Sequence, residues 1–275
     1  MMCAWEPLLA VLPDWLSREV DRYGYGELEE IRLRIGQTPE LVKNAQSLWL
    51  DRIVSREDLN FVINTASRYS PWSAATISSG YLTAAGGHRI GICGEVVMKE
   101  GSMSGIRIVN SLCIRVAKDY IGICTVAAKL KGSMLLIGPP GAGKTTLLRD
   151  LARAIAQGET VGVVDERGEL FPMGITRGRR MDVLSGCGKA DGIEILLRTM
   201  GPSCIAVDEI TSERDCDALL HAGWCGVRLL ATAHAASAAD LLQRPIYLPL
   251  VSERLFDHIL VLGRDKSWRE ERIAV

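Results

Sequence analysis

The sequence lacks an excess of charge of either sign, because 32 Lys and Arg residues stand against 33 Asp and Glu residues, for a net charge of −1. Neither half of the chain, divided at position 132, is strongly basic. A global field that attracts nucleic acid or an acidic membrane is therefore excluded, although a local patch is not. Hydrophobic residues still make up 48% of the 275 residues, which is enough to bury a core and rules out a wholly disordered chain.

Paired cysteines, a leader segment and a long apolar run are also missing. None of the eight cysteines forms a C-x-x-C pair, so we expect reduced thiols that serve as small core residues. The first residues lack the basic segment and apolar stretch of a signal peptide. No uncharged stretch of about 20 residues is apolar enough to span a bilayer. We expect a cytoplasmic protein that reaches any membrane through a partner.

The first part of the chain, residues 1–118, mixes helical and strand patterns. Apolar residues alternate over 30–36, which predicts a half-buried strand. Residues 55–58 form a capping-box pattern, which predicts a helix that ends near Arg68. Residues 80–116 contain several short β-type segments separated by glycine. These patterns predict a small α+β domain.

Residues 119–132 are predicted to be a linker with a lead-in helix, and the pattern changes after them. Over residues 133–275, short apolar runs alternate with helical segments. This alternation predicts βαβ units and a mainly parallel sheet that is buried on both faces. The predicted fold class is therefore α/β, with a phosphate-loop core preceded by a smaller α+β domain.

A complete phosphate-loop motif follows the first strand of this second region. The motif G-x-x-x-x-G-K-[ST] is matched by Gly138-Pro139-Pro140-Gly141-Ala142-Gly143-Lys144-Thr145, between a predicted strand and a predicted helix. The glycines let successive N–H groups point at phosphates, and the helix adds the positive end of its dipole. We expect ATP to bind residues 138–146, the last of which is Thr146. Lys144 would bridge the β- and γ-phosphates, and Thr145 would supply a hydroxyl to Mg²⁺.

The predicted strand at 203–207 ends in two acids, Asp208 and Glu209, which is the Walker B pattern. Such a strand delivers its first acid beside the phosphate loop, where Asp208 would hold Mg²⁺ through water. Glu209 would then lie next to the γ-phosphate and orient or deprotonate the attacking water.

Two further strand ends carry polar residues. Residues 165–169 follow one apolar strand, and Glu166 or Glu169 is expected to assist Glu209; the alternative is a charged loop. His234 follows another strand and is expected to hydrogen-bond the γ-phosphate, the alternative being a structural or helix-capping histidine.

The order of these motifs resembles that of the type II/IV secretion and pilus-retraction ATPases, which carry an aspartate box and a histidine box. More narrowly, the sequence resembles the stage III sporulation protein AA family. The matching segments lie within about 180 residues and are 30–34, 87–94, 138–150, 164–170, 180–184 and 208–210.

This resemblance implies a RecA-like core that works as a ring, expected to be a hexamer, with ATP and Mg²⁺ at the boundaries between copies. It implies a mother-cell protein of an endospore-forming bacterium, which would power a channel-like assembly between mother cell and forespore through membrane-protein partners. In such rings, arginines of the N-terminal domain reach a neighbour's nucleotide. Arg89 and Arg115 occupy the matching positions, with Arg107 as a weaker third candidate; the alternative is that they are solvated arginines on a strand face.

Two other functions remain open from the sequence. One is a nucleotide-gated assembly or scaffold module with little turnover. The other is a nucleic-acid-loading ATPase, which the lack of a basic patch disfavours.

Overall fold

The computed structural model of the chain describes residues 2–3, 5–24, 28–43, 46–68, 80–99, 102–125, 127–172 and 174–272. The chain divides into two units, of which the first contains Met1–Tyr120 and Pro172–Ile175 and the second contains Ile121–Phe171 and Thr176–Val275. Each unit has an apolar core of its own.

The first unit combines an antiparallel sheet with three described helices. The helices are α1 (Trp5–Ala10), α2 (Asp14–Tyr23) and α3 (Arg56–Arg68). The strands are β1 (Met2–Cys3), β2 (Leu28–Arg34), β3 (Glu40–Lys43), β4 (Gln46–Trp49), β5 (Tyr81–Thr83), β6 (Arg89–Lys99), β7 (Ser102–Arg115) and β8 (Lys118–Asp119). Six strands pair in the order β4-β3-β2-β7-β6-β5, and β1 pairs with β8.

Local sequence explains several of these elements. Ile31 and Leu33 of β2 are fully buried between less buried neighbours, as the alternating pattern predicts. Asp58 accepts the backbone N–H of Ser55 at 2.8 Å, and the Ser55 hydroxyl accepts the N–H of Asp58 at 3.2 Å, so the predicted capping box is confirmed. The indole N–H of Trp15 also donates to Asp58 at 2.8 Å and ties α2 to the start of α3.

The β-rich stretch differs from the predicted series of short strands. β6 and β7 are two long strands that pair with each other, and their register shifts three times between Cys93 and Met98. A Cβ at Gly94 would stand 1.8 Å from the carbonyl oxygen of Ile108, so glycine alone permits this close approach. Bulges of this kind interrupt the side-chain alternation, which explains why the sequence suggests breaks where the strands continue.

The second unit is built on a seven-stranded sheet. Its strands are β9 (Met134–Ile137), β10 (Val161–Asp165), β11 (Met181–Ser185), β12 (Cys204–Val207), β13 (Arg228–Ala233), β14 (His258–Leu262) and β15 (Trp268–Glu271). Its described α-helices are α4 (Lys144–Ile155), α5 (Lys189–Thr199), α6 (Glu213–Trp224), α7 (Ala238–Leu242) and α8 (Leu248–Ser252). The strand order is β11-β10-β12-β13-β9-β14-β15, and the β14–β15 pair alone is antiparallel.

The central strands β9, β10 and β12 are buried along their whole length, as expected for parallel strands covered on both faces. The predicted α/β class, with a mainly parallel sheet and a smaller α+β domain before it, is confirmed. Since β10, β12, β13 and β9 are neighbours, their carboxyl ends meet at one edge of the sheet. These are the four strand ends that carry the predicted site residues of the core.

Other sequence expectations fail. The described residues between 118 and 132 contain the end strand β8 and a single 3₁₀ turn at Ala127–Lys129, so the predicted lead-in helix is wrong. The sequence does not predict the strands β1, β3, β4, β8, β11 and β15, and three of these, β4, β11 and β15, share one reason. They are edge strands that bury little, so they carry no clear apolar alternation. None of the helices that the structure describes is long and apolar enough to cross a bilayer.

Candidate nucleotide-binding site

The phosphate loop, residues 138–143, runs from the end of β9 to the start of α4. Gly138, Gly141 and Gly143 have φ angles of 152°, 75° and 95°, which glycine adopts without strain. A Cβ at Gly138 would lie 2.6 Å from the carbonyl oxygen of Leu262, so the loop begins in close contact with the end of β14. Such a loop and helix N-terminus are suited to an anion. Among the other predicted positions, Ala142 is buried, Pro139 and Thr146 are half-buried, and Pro140 is exposed.

Lys144 is the first residue of α4 and is only 7% exposed. Its Nζ donates to the carbonyl oxygens of Gly138 at 2.7 Å and Pro139 at 3.1 Å, and it lies 3.2 Å from Nδ1 of His234. Burial lowers the pKa of this ammonium group, and the charge of Asp208 opposes the shift. Two of these partners are backbone carbonyl oxygens without net charge, so a phosphate in the loop offers the ammonium a stronger, charge-assisted contact.

The carboxylate of Asp208 is held by two hydroxyl groups. Thr145 Oγ1 donates to Oδ2 at 2.7 Å, and Thr232 Oγ1 donates to Oδ1 at 2.6 Å. Thr232 is fully buried and also accepts the backbone N–H of Glu209 at 2.7 Å. Thr232 therefore fixes both acids of the Walker B strand end. No residue pattern assigned it a role, and its one signal is a hydroxyl in an otherwise apolar strand.

The pairing of Thr145 with Asp208 fits the predicted Mg²⁺ ion, because a hydroxyl and a carboxylate are oxygen ligands of the kind that this ion prefers. The described part of the chain contains no cluster of three or more His, Cys, Asp or Glu side chains able to hold a metal. A magnesium ion at this position would therefore take most of its ligands from phosphate and water, as it does in nucleotide sites.

Glu209 has a left-handed backbone, with φ of 56°, which is uncommon for a residue other than glycine and is found at functional sites. Its Oε1 lies 3.2 Å from Nε2 of His234, and its Oε2 lies 3.4 Å from the guanidinium of Arg167. His234 thus stands between Lys144 and Glu209. Nδ1 of His234 faces the ammonium group of Lys144, and Nε2 faces the carboxylate of Glu209.

The acidic residues at the end of β10 bind partners that are not evident from the sequence. Glu166 forms an ion pair with Lys189 at 2.5 Å, and Lys189 is 6% exposed and lies 3.8 Å from Asp215. Asp165 closes the loop after β10 by accepting the N–H of Glu169 at 2.8 Å. Glu166 and Glu169 line one small cleft together with Asp208 and Glu209. Lys189 had no predicted role, since its partners lie far away in sequence.

The predicted arginines lie in the first unit. Arg89 and Arg115 stand directly opposite each other on β6 and β7. Arg115 is mostly exposed and lies 3.6 Å from Glu30, whereas Arg107 forms an exposed ion pair with Glu95 at 2.7 Å. Like charges on directly opposite residues destabilise a strand pair. The guanidinium of Arg89 also lies 4.3 Å from the centroid of the Tyr81 ring. The catalytic role of the three arginines stays a prediction.

Comparison with known proteins places this architecture in a family. The sequence profile of the family described as "Sporulation stage III, protein AA" matches residues 9–272. The chain belongs to this family. It is 37% identical over 277 residues to the stage III sporulation protein AA of Bacillus subtilis strain 168, an alignment that covers 94% of this chain and 90% of that protein.

Two solved structures resemble the fold of this chain. The ATPase DotB of Legionella pneumophila superposes with a TM-score of 0.60 at 17% identity, covering 91% of this chain and 76% of that one. The pilus retraction motor PilT, solved with bound ADP, superposes with a TM-score of 0.63 at 15% identity, covering 90% and 76%. These likenesses confirm the predicted RecA-like core.

Proposed function

We propose that the chain is an ATP hydrolase that works as a ring and energises a secretion-like complex during sporulation. The observation that carries the proposal is the convergence of Lys144, Thr145, Asp208 and Glu209 at the carboxyl edge of one parallel sheet. Membership in a sporulation family supports the cellular setting. The fold shared with DotB and PilT supports the class of motor.

Nucleotide binding begins at the phosphate loop. The backbone N–H groups of the loop other than at Pro139 and Pro140, together with the N-terminus of α4, bind the phosphates. Lys144 exchanges its carbonyl partners for phosphate oxygens. Thr145 and Asp208 would hold Mg²⁺, which would supply positive charge to offset that of the phosphates.

Hydrolysis needs a group that orients water and accepts its proton, and Glu209 takes this role. His234 and Arg167 hold the two oxygens of its carboxylate, and Thr232 fixes its backbone. His234 contacts both Lys144 and Glu209. When Lys144 turns to a phosphate, His234 loses that contact, and its contact with the Glu209 carboxylate changes as a result. Glu166 and Glu169 line the adjoining cleft and assist by shaping it.

In the proposed ring, the neighbouring copy supplies further positive charge to each nucleotide. Arg89 and Arg115 of one copy act on the nucleotide of the next, where an arginine supplied in trans is worth roughly 10³–10⁵ in rate. The expected assembly is a hexamer in the cytoplasm of the mother cell. It docks on membrane proteins of the channel-like complex between mother cell and forespore.

A steady-state phosphate-release assay tests hydrolysis directly. Glu209→Gln should still bind ATP, but its turnover rate should fall by a factor of about 10²–10⁴, because the variant lacks the carboxylate base. Glu213→Gln is the matched control, since Glu213 is exposed in the first turn of α6 and should leave turnover unchanged. Wild-type protein that binds ATP and releases no phosphate would reject the hydrolase in favour of a nucleotide-gated scaffold.

Mixing two inactive variants tests the arginines. Lys144→Ala cannot use its own nucleotide site but keeps Arg89 and Arg115, whereas the double variant R89A/R115A keeps Lys144 and lacks the arginines. If the arginines act in trans, mixed rings contain complete sites, and the mixture should hydrolyse ATP faster than either variant alone. A mixture no faster than its components would contradict the trans arrangement.

A further inference from the structure

The chain passes between its two units three times, after residues 120, 171 and 175. Within the second unit, the segment next to each passage is hydrogen-bonded to one helix, α4. The same helix begins with Lys144 and Thr145, at the phosphate loop. Helix α4 therefore connects the nucleotide site with every passage between the units.

The first passage is held by Asp150, which lies in the middle of α4 and is 2% exposed. Its Oδ1 accepts the backbone N–H of Gly122 at 3.0 Å, and its Oδ2 accepts that of Cys124 at 2.9 Å. Burial raises the pKa of Asp150, but these hydrogen bonds and the charge of Arg153 lower it by more. An ionised carboxylate therefore grips the segment that follows the passage with both oxygens.

The second passage is held by Arg149, the preceding residue of α4. Its Nε donates to the carbonyl oxygen of Leu170 at 2.5 Å, and a terminal nitrogen donates to that of Glu169 at 2.8 Å. Asp165 secures the same loop by accepting the N–H of Phe171 at 2.8 Å. Residues 169–171 therefore reach the passage attached to both α4 and the end of β10.

The third passage is held by Arg153, one turn further along α4 and 5% exposed. Its Nε donates to the carbonyl oxygen of Thr176 at 2.9 Å, and its NH1 donates to Asp150 at 3.2 Å. A Cβ at Gly178 would lie 2.9 Å from the carbonyl oxygen of Arg153, so this segment packs directly on the helix. The first and third passages are thus joined through a buried ion pair.

Two of the three charged side chains, Asp150 and Arg153, are buried, and burying ions carries a desolvation cost that apolar contacts avoid. The arrangement does have a mechanical consequence. The 12 residues of α4 form a rigid rod about 18 Å long. The phosphate-loop end of this rod and the three attachments therefore belong to one continuous element.

We propose that α4 couples nucleotide binding to the placement of the first unit, with Arg149, Asp150 and Arg153 as positioning residues. The inference rests on the proposed function, since ATP must bind at Lys144. The three residues act through the backbone of 122–124, 169–170 and 176. They do not act by touching the nucleotide.

Two exposed native cysteines make the coupling measurable, because Cys93 lies in the first unit and Cys225 in the second. Nitroxide labels are placed on both after Cys3, Cys113 and Cys187 are replaced by serine. Double electron–electron resonance then gives the distance between the labels, with and without a non-hydrolysable ATP analogue. Labelled chains are diluted with unlabelled protein so that each assembly holds one labelled copy.

The test variants are Arg149→Met and Asp150→Asn, and the matched control is Arg198→Met. Arg198 is exposed on α5 and donates to the carbonyl oxygen of Glu194 in its own helix, so it holds no passage. Arg149→Lys keeps the charge on a single donor nitrogen in place of the two that Arg149 uses, so it should restore part of the effect. Thermal unfolding shows whether each variant is folded, and if Asp150→Asn is not, the half-buried Arg149 decides alone.

In the wild type and in Arg198→Met, the analogue should shift the distance distribution. Arg149→Met and Asp150→Asn should bind the analogue within about threefold of wild type, because they lie outside the phosphate contacts. Their distance shift should fall by about half or more. A full shift in both variants, or a wild type that binds the analogue with no shift, would overturn the coupling. Phosphate release is measured in parallel, so that failure of the proposed hydrolase and failure of the proposed coupling can be told apart. No phosphate release by the wild type would refute the hydrolase. The coupling through α4 is tested by the distance shift alone.

Discussion

Replacing Thr232 with valine removes one hydroxyl group and keeps the shape of the side chain. The hydroxyl donates to Asp208 at 2.6 Å and accepts the N–H of Glu209 at 2.7 Å. Thr232 is fully buried, so water cannot take the place of the hydroxyl. The substitution leaves a backbone N–H without a partner and frees one oxygen of Asp208.

The expected loss of stability follows from these two contacts. An unsatisfied buried donor costs about 1–3 kcal/mol, and a hydrogen bond to a carboxylate is worth roughly 1.5–3 kcal/mol. Asp208 keeps its bond to Thr145 at 2.7 Å, which limits the second loss. We expect the free energy of unfolding to fall by about 2–3 kcal/mol, which lowers Tm by roughly 4–12 °C in a domain of this size.

Thermal unfolding and ATP turnover over a series of Mg²⁺ concentrations form the assay. Because both acids lose a shared support, Thr232→Val should lower kcat by at least about tenfold and raise the Mg²⁺ requirement. Thr199→Val is the control, since its exposed hydroxyl donates to Ile195 of the same helix and should change stability by less than about 0.5 kcal/mol. Identical Tm values and Mg²⁺ dependence in the two variants would refute the role assigned to Thr232.

Three further predictions use independent parts of the chain. Lys144→Ala should weaken ATP binding at least tenfold by calorimetric titration, because a charged contact is worth roughly 1.5–3 kcal/mol; unchanged affinity contradicts the phosphate-loop assignment. Burial raises the pKa of Asp58, but hydrogen bonds from Trp15 and the capping serine lower it by more. Asp58→Asn should therefore lower the free energy of unfolding by about 1 kcal/mol at neutral pH. The difference in unfolding free energy between wild type and variant should shrink as the pH falls through the pKa of Asp58 in the folded protein, and a difference that grows in acid would contradict this stabilisation. Burial lowers the pKa of His258, but its hydrogen bond with Glu270 raises it by more. His258→Gln should lower Tm at about pH 5 and match wild type at about pH 9, and the opposite order would exclude this stabilisation.

The parallel sheet and the phosphate loop could be predicted because their determinants are local. Residues 134–137 and 204–207 are uninterrupted apolar runs, which a doubly covered strand requires. The loop between Gly138 and Lys144 needs glycine at fixed positions, whatever surrounds it. The strand order then brings Asp208, Glu209 and His234 together, because parallel strands deliver their ends to one edge.

The rest depends on partners that are distant in sequence. Lys189 meets Glu166 across 23 residues, and Thr232 meets Asp208 across 24. The assignment of Pro172–Ile175 to the first unit has no signal in the local pattern. The sequence also gives no signal that Arg149, Asp150 and Arg153 bind the segments next to the passages between the units. These side chains bind backbone atoms, so no particular residue type is needed at the partner positions.

Native mass spectrometry after incubation with ATP and Mg²⁺ tests the central claim most directly, because one spectrum gives both the size of the assembly and the nucleotide it holds. Six copies of the 30.0 kDa chain form a ring of about 180 kDa. The account predicts this ring with ADP bound in the wild type and ATP bound in Glu209→Gln. A 30.0 kDa monomer, or a ring in which the wild type retains ATP, would contradict it.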